Sequence, residues 1–173
     1  MKKIIINDSN IDDKDIDYSV VRVKAIIVNS ENSVIMEHNN NTFQLPGGHV
    51  EQEDLKEALK REILEECGIS NVEIGEPFLN IVTYDNDYFG SSKKVLNKIY
   101  YFDVYTDETP DFKKTRYDIL ESKTPFRLFY VDMNKVKDFI EEEKTKKNIE
   151  EAIARELNLV FDAYKYIKDD EII

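Results

Sequence analysis

Leu45-Pro46-Gly47-Gly48-His49-Val50-Glu51-Gln52-Glu53-Asp54-Leu55-Lys56-Glu57-Ala58-Leu59-Lys60-Arg61-Glu62-Ile63-Leu64-Glu65-Glu66-Cys67-Gly68-Ile69 is the stretch from which both fold and chemistry are read. It opens on Pro-Gly-Gly, a turn signal whose glycines let the backbone approach a ligand or take dihedrals that other residues avoid. A helix is expected next. Glu53 and Asp54 suit its positive N-terminal end, Gly68 is a natural stop, and nothing between them breaks the run. At about 100° per residue, Leu55, Ala58, Leu59 and Ile63 make one apolar stripe, with Glu62 and Glu66 in its middle and Glu65 at its edge.

Carboxylates that point into a core need compensating charge, because an ionised group buried without a partner is expensive. A hard divalent cation, magnesium or manganese, meets that need through oxygen ligands. The alternative is a solvated ladder of Glu53, Glu57, Arg61 and Glu65, spaced four apart. The ladder accounts for Glu53 and Glu57 but not for Glu62 and Glu66, which share their face with the leucines.

Counted from Gly47, the chain reads Gly, five residues, Glu53, seven residues, then Arg61-Glu62-Ile63-Leu64-Glu65-Glu66-Cys67-Gly68-Ile69, which resembles the signature of the Nudix hydrolases at every fixed position. With typical residue frequencies of roughly 5–10% per fixed position, a chance match at a given start is on the order of one in 10⁸. One departure is visible. Family members usually carry the signature glycine as the second of the pair, here Gly48, and from Gly48 the spacing to Glu53 is one residue short. The shortening is expected to be absorbed at the helix start.

The resemblance implies an α/β (α+β) sandwich, a mixed β-sheet flanked by helices. It assigns Arg61 to orienting the glutamates, and Glu62, Glu65 and Glu66 to holding magnesium or manganese, with a carbonyl of Gly47 or Gly48 completing the shell. The base that activates water is expected to be Glu62, with Glu121 second and Asp118 third. Substrate contacts are expected from Tyr84, Tyr88 and Phe89, which can stack on a base, and from His49 beside the phosphate chain. Lys93, Lys94 and Lys98 are further phosphate candidates.

At 173 residues the chain reads as one domain with a substantial core. A hydrophobic content of 41% with 9 Phe and 10 Tyr is that of a globular protein. A net charge of −12 argues against binding to a nucleic acid duplex or an anionic membrane through the overall field. A polyphosphate must then be recruited locally. The lone Cys67 reads as a packing residue and fits a reducing compartment. Ile4 to Ile6 is too short for a secretory core, and no run approaches a membrane span, so a cytoplasmic protein is expected.

Residues 1–17 read as a flexible acidic lead and 18–173 as the domain. Strands are expected at Val20 to Val28, Val34 to Glu37, Phe43 to Leu45, Val72 to Thr83 with a bend at Gly75 and Pro77, Val95 to Tyr105, and Phe126 to Val131. On the fifth of these, Ile99, Tyr101 and Asp103 are expected on one face and Tyr100, Phe102 and Val104 on the other. Loops are expected at His38 to Asn41, Tyr84 to Lys94 and Thr106 to Thr124, and helices at Asn134 to Glu143 and Ile149 to Ile167. The function expected is metal-dependent hydrolysis of the diphosphate bond in a nucleoside diphosphate linked to another moiety: a nucleotide sugar, dinucleoside polyphosphate, ADP-ribose or nucleoside triphosphate. The partner is thus a small-molecule nucleotide, and a homodimer is compatible with it. The competing function is a nucleotide-ligand sensor or interaction module without turnover.

Overall fold

The Val- and Ile-rich run that starts the domain forms the central strand of a mixed sheet. In this computed structural model, which describes residues 1–39, 42–86, 92–116 and 126–170, the strands are β1 (Lys2–Ile6), β2 (Tyr18–Val28), β3 (Ser33–Asn39), β4 (Thr42–Gln44), β5 (Gly47–His49), β6 (Glu73–Asn86), β7 (Lys94–Tyr105) and β8 (Arg127–Asp132). The helices are α1 (Leu55–Cys67), α2 (Val136–Thr145) and α3 (Glu151–Asp170). Strand order is β1-β6-β7-β2-β3-β4, with β5 paired to β2 and β8 to β3. β2 runs parallel to β7 over its whole length, from Tyr18 opposite Val95 to Val28 opposite Tyr105.

Alternation along these strands feeds two cores. Ile26, Ile99 and Tyr101 face α2 and α3 and pack with Ile140, Leu157 and Val160. Val23, Ala25, Phe102 and Val104 face α1 and pack with Ala58, Leu59, Ile63 and Cys67. The two faces expected for β7 are therefore the two faces found. Full burial of a side chain such as Leu59 or Ile63 contributes about 1.5–3 kcal/mol, so α1 is held by its stripe rather than by helix propensity. Asp54 caps it, accepting 3.0 Å bonds from the Lys56 and Glu57 amides, and Gly68 ends it at φ 67°.

Several boundaries differ from the sequence reading. Residues 1–17 are not a lead outside the domain. Lys2–Ile6 adds a parallel edge strand to β6, Ile11 is buried, and Arg155 on α3 pairs with Asp8. Five residues are too few to announce a strand alone, and only the open edge of β6 gives them a ladder. Pro77 lies at register shifts between β6 and β7, as its position suggested, but β6 runs on through Tyr84 to Asn86. His38 and Asn39 belong to β3 because β4 and β8 pair with them or beside them. The Pro-Gly-Gly turn is itself a short strand, opposite Arg22, Val23 and Lys24.

Candidate active site at the split in the sheet

β2 and β3 pair only at Val28 opposite Val34, and then diverge. β5 takes over the freed edge of β2, so the sheet opens between β5 on one side and β3 with β4 on the other. Helix α1 crosses the α1-facing side of this split and presents its carboxylates to the Gly47–Gly48 backbone.

Gly47 has φ 140°, and a Cβ there would lie 2.1 Å from the Val23 carbonyl oxygen, so no other residue fits without moving β2. Bonds from the Ala25 amide to the Pro46 carbonyl and from the Val50 amide to the Val21 carbonyl fix the ladder on either side. Its alternation turns Gly48 toward β2 and Gly47 toward the open edge. The Gly47 N–H there donates to Glu66 Oε2 at 2.7 Å. Glu66 is 4% exposed, which is tolerable for a carboxylate only with such partners. A Cβ on Gly48 would meet the Glu62 carboxylate at 2.5 Å, so the second glycine leaves room for that side chain.

Arg61 ties the acids together. Its Nη1 donates to Glu62 Oε1 at 2.8 Å and to Glu65 Oε2 at 3.1 Å. Nε and Nη2 both reach Glu53 Oε1, at 3.2 and 2.8 Å, and Nη2 also donates to the His49 carbonyl at 2.8 Å. Partial burial opposes the charge of Arg61, but its hydrogen bonds to Glu53, Glu62 and Glu65 and the charge of Glu62 outweigh it and raise the pKa further. In return the Arg61 bond holds the Glu53 carboxyl down at about 2. Glu53 thus reaches the site despite the shortened loop, while Glu57 pairs outward with Lys60. The ladder reading and the core reading are both partly present: Arg61 joins a ladder acid, Glu53, to a stripe acid, Glu62.

Among the described residues, no group of three or more His, Cys, Asp or Glu side chains stands at metal-holding distances. The expected convergence on one ion differs from this arrangement because Arg61 draws Glu62 and Glu65 while the Gly47 amide takes Glu66. The donor chemistry nevertheless fits a hard cation: three carboxylates from one helix, of which Glu66 and Glu62 lie against the Gly47–Gly48 segment on the open edge and Glu65 is tied to Glu62 through Arg61.

On the opposite side of β2 no motif marks the residues that meet. Arg22, opposite His49, and Lys24, opposite Gly47, alternate with Val23 and so face α3. Lys24 is 8% exposed and pairs with Glu156 Oε1 at 3.3 Å, and the buried Tyr101 hydroxyl donates to the same oxygen. The Nε of Arg22 is buried with no hydrogen bond among the described residues. His49 is shielded enough, and near enough to Arg22 and Arg61, that its pKa falls below the usual imidazole value. Glu37, fully buried on β3, accepts a bond from Gln44 on β4. The legible signal for Glu37 was a single acid directly after the apolar run Val34 to Met36.

Tyr84 is not brought to the turn. Its hydroxyl donates to Asp13 at 2.7 Å, and it stands opposite Leu96, level with Ser19 of β2. Two strand spacings and three residues put it roughly 14 Å from Arg22. Lys94 pairs with Asp15, also away from the split. Tyr88, Phe89, Asp118 and Glu121 lie outside the described residues. Cys67 is buried under α1, and burial, with Glu66 and Glu37 nearby, pushes its thiol pKa well up, which suits packing rather than nucleophilic attack.

The NUDIX domain family model matches residues 19–118, the segment that holds β2 through β7 and all of α1. The chain belongs to the NUDIX family. The MutT protein of Methanosarcina mazei Go1 is 19% identical with a TM-score of 0.56, over 85% of this chain and 95% of that one. A Caenorhabditis elegans Ap4A hydrolase in a binary complex is 14% identical with a TM-score of 0.55, over 87% and 98%. The NUDIX domain of Shewanella oneidensis NrtR, complexed with ADP ribose, is 15% identical with a TM-score of 0.50, over 74% and 82%. No curated protein matches the chain. The α/β/α layering of this NUDIX domain is that of its solved relatives, and among its described residues no helix is long and apolar enough to cross a membrane.

Proposed function

We propose that this NUDIX pyrophosphohydrolase cleaves the diphosphate bond of a nucleoside diphosphate linked to a second moiety, with magnesium or manganese. The observation that carries the reading is the Arg61 fork, which gathers Glu53, Glu62 and Glu65 on α1 beside a Gly47–Gly48 segment already bonded to Glu66. Glu62, Glu65 and Glu66 would hold the cation, with the Gly47 carbonyl as the backbone ligand on the open edge. A cation bound there polarises phosphoryl oxygens and lowers the pKa of its water.

The chain's own residues supply the rest. Arg61 spreads its donors over three acids and so fixes the angles at which their oxygens face the split, as a planar fork can and an ammonium cannot. Glu62, packed against Gly48, is placed to accept the proton of an attacking water. Arg22 and His49, across the split from α1, offer donors to the phosphate chain, and Lys24, held by Glu156, keeps α3 docked behind them. Little covalent chemistry falls to the protein in phosphoryl transfer, so positioning and charge neutralisation carry most of the rate.

The test is a turnover screen of nucleotide sugars, ADP-ribose, dinucleoside polyphosphates and nucleoside triphosphates, each with magnesium and with manganese. The solved relatives with Ap4A and ADP ribose in their names set the first two choices. Glu66→Gln should lose at least about two orders of magnitude in rate, of the size expected when a positioned charged group is removed, with an unchanged circular dichroism spectrum. Wild-type rates in Glu66→Gln at saturating magnesium would remove Glu66 from the metal site. Metal-dependent binding without hydrolysis of any of the four classes would replace the enzyme reading with that of a sensor.

A further inference from the structure

β1 ends the sheet. Its inner edge is laddered to β6 from Lys2 opposite Leu79 to Ile6 opposite Thr83, and no strand lies beyond it in the strand order. Among the described residues, no turn, loop or cap backbone group bonds to Lys2–Ile6 from its outer side. The N–H and C=O groups along such a margin are a template for another strand.

Alternation divides the side chains of β1 between two faces. Ile4 and Ile6 pack against the core under α3, so Lys2 shares that face by parity. Ile5 points the other way. It is 60% exposed, more than any other leucine or isoleucine among the described residues, although its neighbour Val82 on β6 is buried. Just past the strand, Asp8 pairs with Arg155 of α3 and so lies on the face of Lys2, with its side chain still 70% exposed. The strand is thus basic at its start, acidic beyond its end, and isoleucine between.

A strand with this pattern is complementary to its own reverse. A two-fold axis normal to the sheet keeps each face on its own side, so only residues of like parity can stand opposite one another. Centred on Lys3, that pairing sets lysine against lysine; centred on Ile4, it sets Lys2 against Ile6 and Lys3 against Ile5. Centred on Ile5, it sets Ile5 against itself and Ile4 against Ile6, and brings Lys2 level with Asp8. Only the last matches isoleucine with isoleucine and cation with anion. The row of Ile99, Ile81 and Ile4 across β7, β6 and β1 then continues into Ile6 of the second copy.

We propose that the chain forms a two-fold homodimer by antiparallel pairing of β1 with β1 of a second copy, centred on Ile5, which joins the two sheets into one. A single ladder buries less than a standard interface, so the dimer belongs to the micromolar class. β6 and β7 separate this margin from the β2 edge that carries Gly47, and each copy keeps its own acids.

Sedimentation velocity of the full chain across the micromolar range should show a concentration-dependent shift from monomer to dimer. Ile5→Lys sets two ammonium groups face to face on the axis and should weaken the dimer at least about tenfold. Its melting temperature at low protein concentration should hold, because the side chain is exposed in the monomer. Two cysteine variants test the register. Opposite Cα atoms on the axis lie about 4.5–5.5 Å apart, a disulfide span, so Ile5→Cys should cross-link under mild oxidation. Lys3→Cys leaves its thiols about 13 Å apart along the ladder and should not. Cys67 is buried and does not compete. A wild type that stays monomeric throughout would overturn the proposal. So would a dimer unmoved by Ile5→Lys, or cross-linking of Lys3→Cys as fast as that of Ile5→Cys. If Ile5→Lys fails to fold, the cysteine pair decides. None of these results touches the hydrolase reading, which the turnover screen tests separately.

Discussion

Replacing Arg61 with lysine removes the fork and keeps the charge. Among the described residues the arginine makes five hydrogen bonds, two to Glu53 and one each to Glu62, Glu65 and the His49 carbonyl. A single ammonium on a flexible stem can retain about two of these, so about three are lost. A hydrogen bond to a charged group contributes about 1.5–3 kcal/mol when shielded, but the Arg61 side chain is 31% exposed, and solvent screening brings each nearer to about 1 kcal/mol. The loss is then about 3 kcal/mol. Expressed through misplaced Glu62 and Glu65, it lowers kcat by about two orders of magnitude. KM should change less than about threefold, because the substrate contact proposed for Arg22 is untouched. Steady-state kinetics on the best substrate from the screen, with Glu57→Ala alongside, decide the matter. Among the described residues Glu57 pairs with Lys60 of the same helix alone, and Glu57→Ala should be neutral. A rate for Arg61→Lys within threefold of wild type, or equal losses in both variants, would refute the fork as the organiser of the acids and restore the surface ladder.

The two glycines should fail in different ways. Gly47→Ala places a Cβ against the backbone of β2 at a φ that side chains rarely adopt, and should cost about 2–4 kcal/mol in denaturant unfolding. Gly48→Ala meets only the end of Glu62, so it should keep its melting temperature and lose turnover. Glu108 accepts from the Ser70 and Asn71 amides and from Lys114, which holds its carboxyl at about 2. A carboxyl with a lower pKa folded than unfolded binds fewer protons when folded. Its stabilisation is therefore present above the ordinary value of 4.5 and is lost as pH falls from there toward 2. Thermal melts at pH 6 and pH 3 should show wild type losing more stability than Glu108→Gln over that interval.

The stretch from Leu45 to Ile69 determined, by itself, the helix, its buried face, the acids on that face, and the family. Those properties are local: period and spacing within one helix fix which side chains share a face, whatever packs against it. The two faces of β7 were legible for the same reason, since alternation assigns side chains to opposite layers without reference to the partner strand. Where residues distant in sequence meet was decided only by the tertiary structure. Lys2–Ile6 became a strand because β6 left an edge open, and Tyr84 left the expected substrate loop because the β6–β7 ladder continues past it. Arg22, Lys24 and Glu156 carry no motif, and their place beside the Gly47 strand follows from a register between β2 and β5 and from the docking of α3. Glu53 reached Arg61 across a shortened loop because Asp54 caps the helix and leaves the preceding residue free to fold back. Sequence spacing records neighbours along one element, whereas a split sheet is a property of which edges remain unpaired, and only the folded chain settles that.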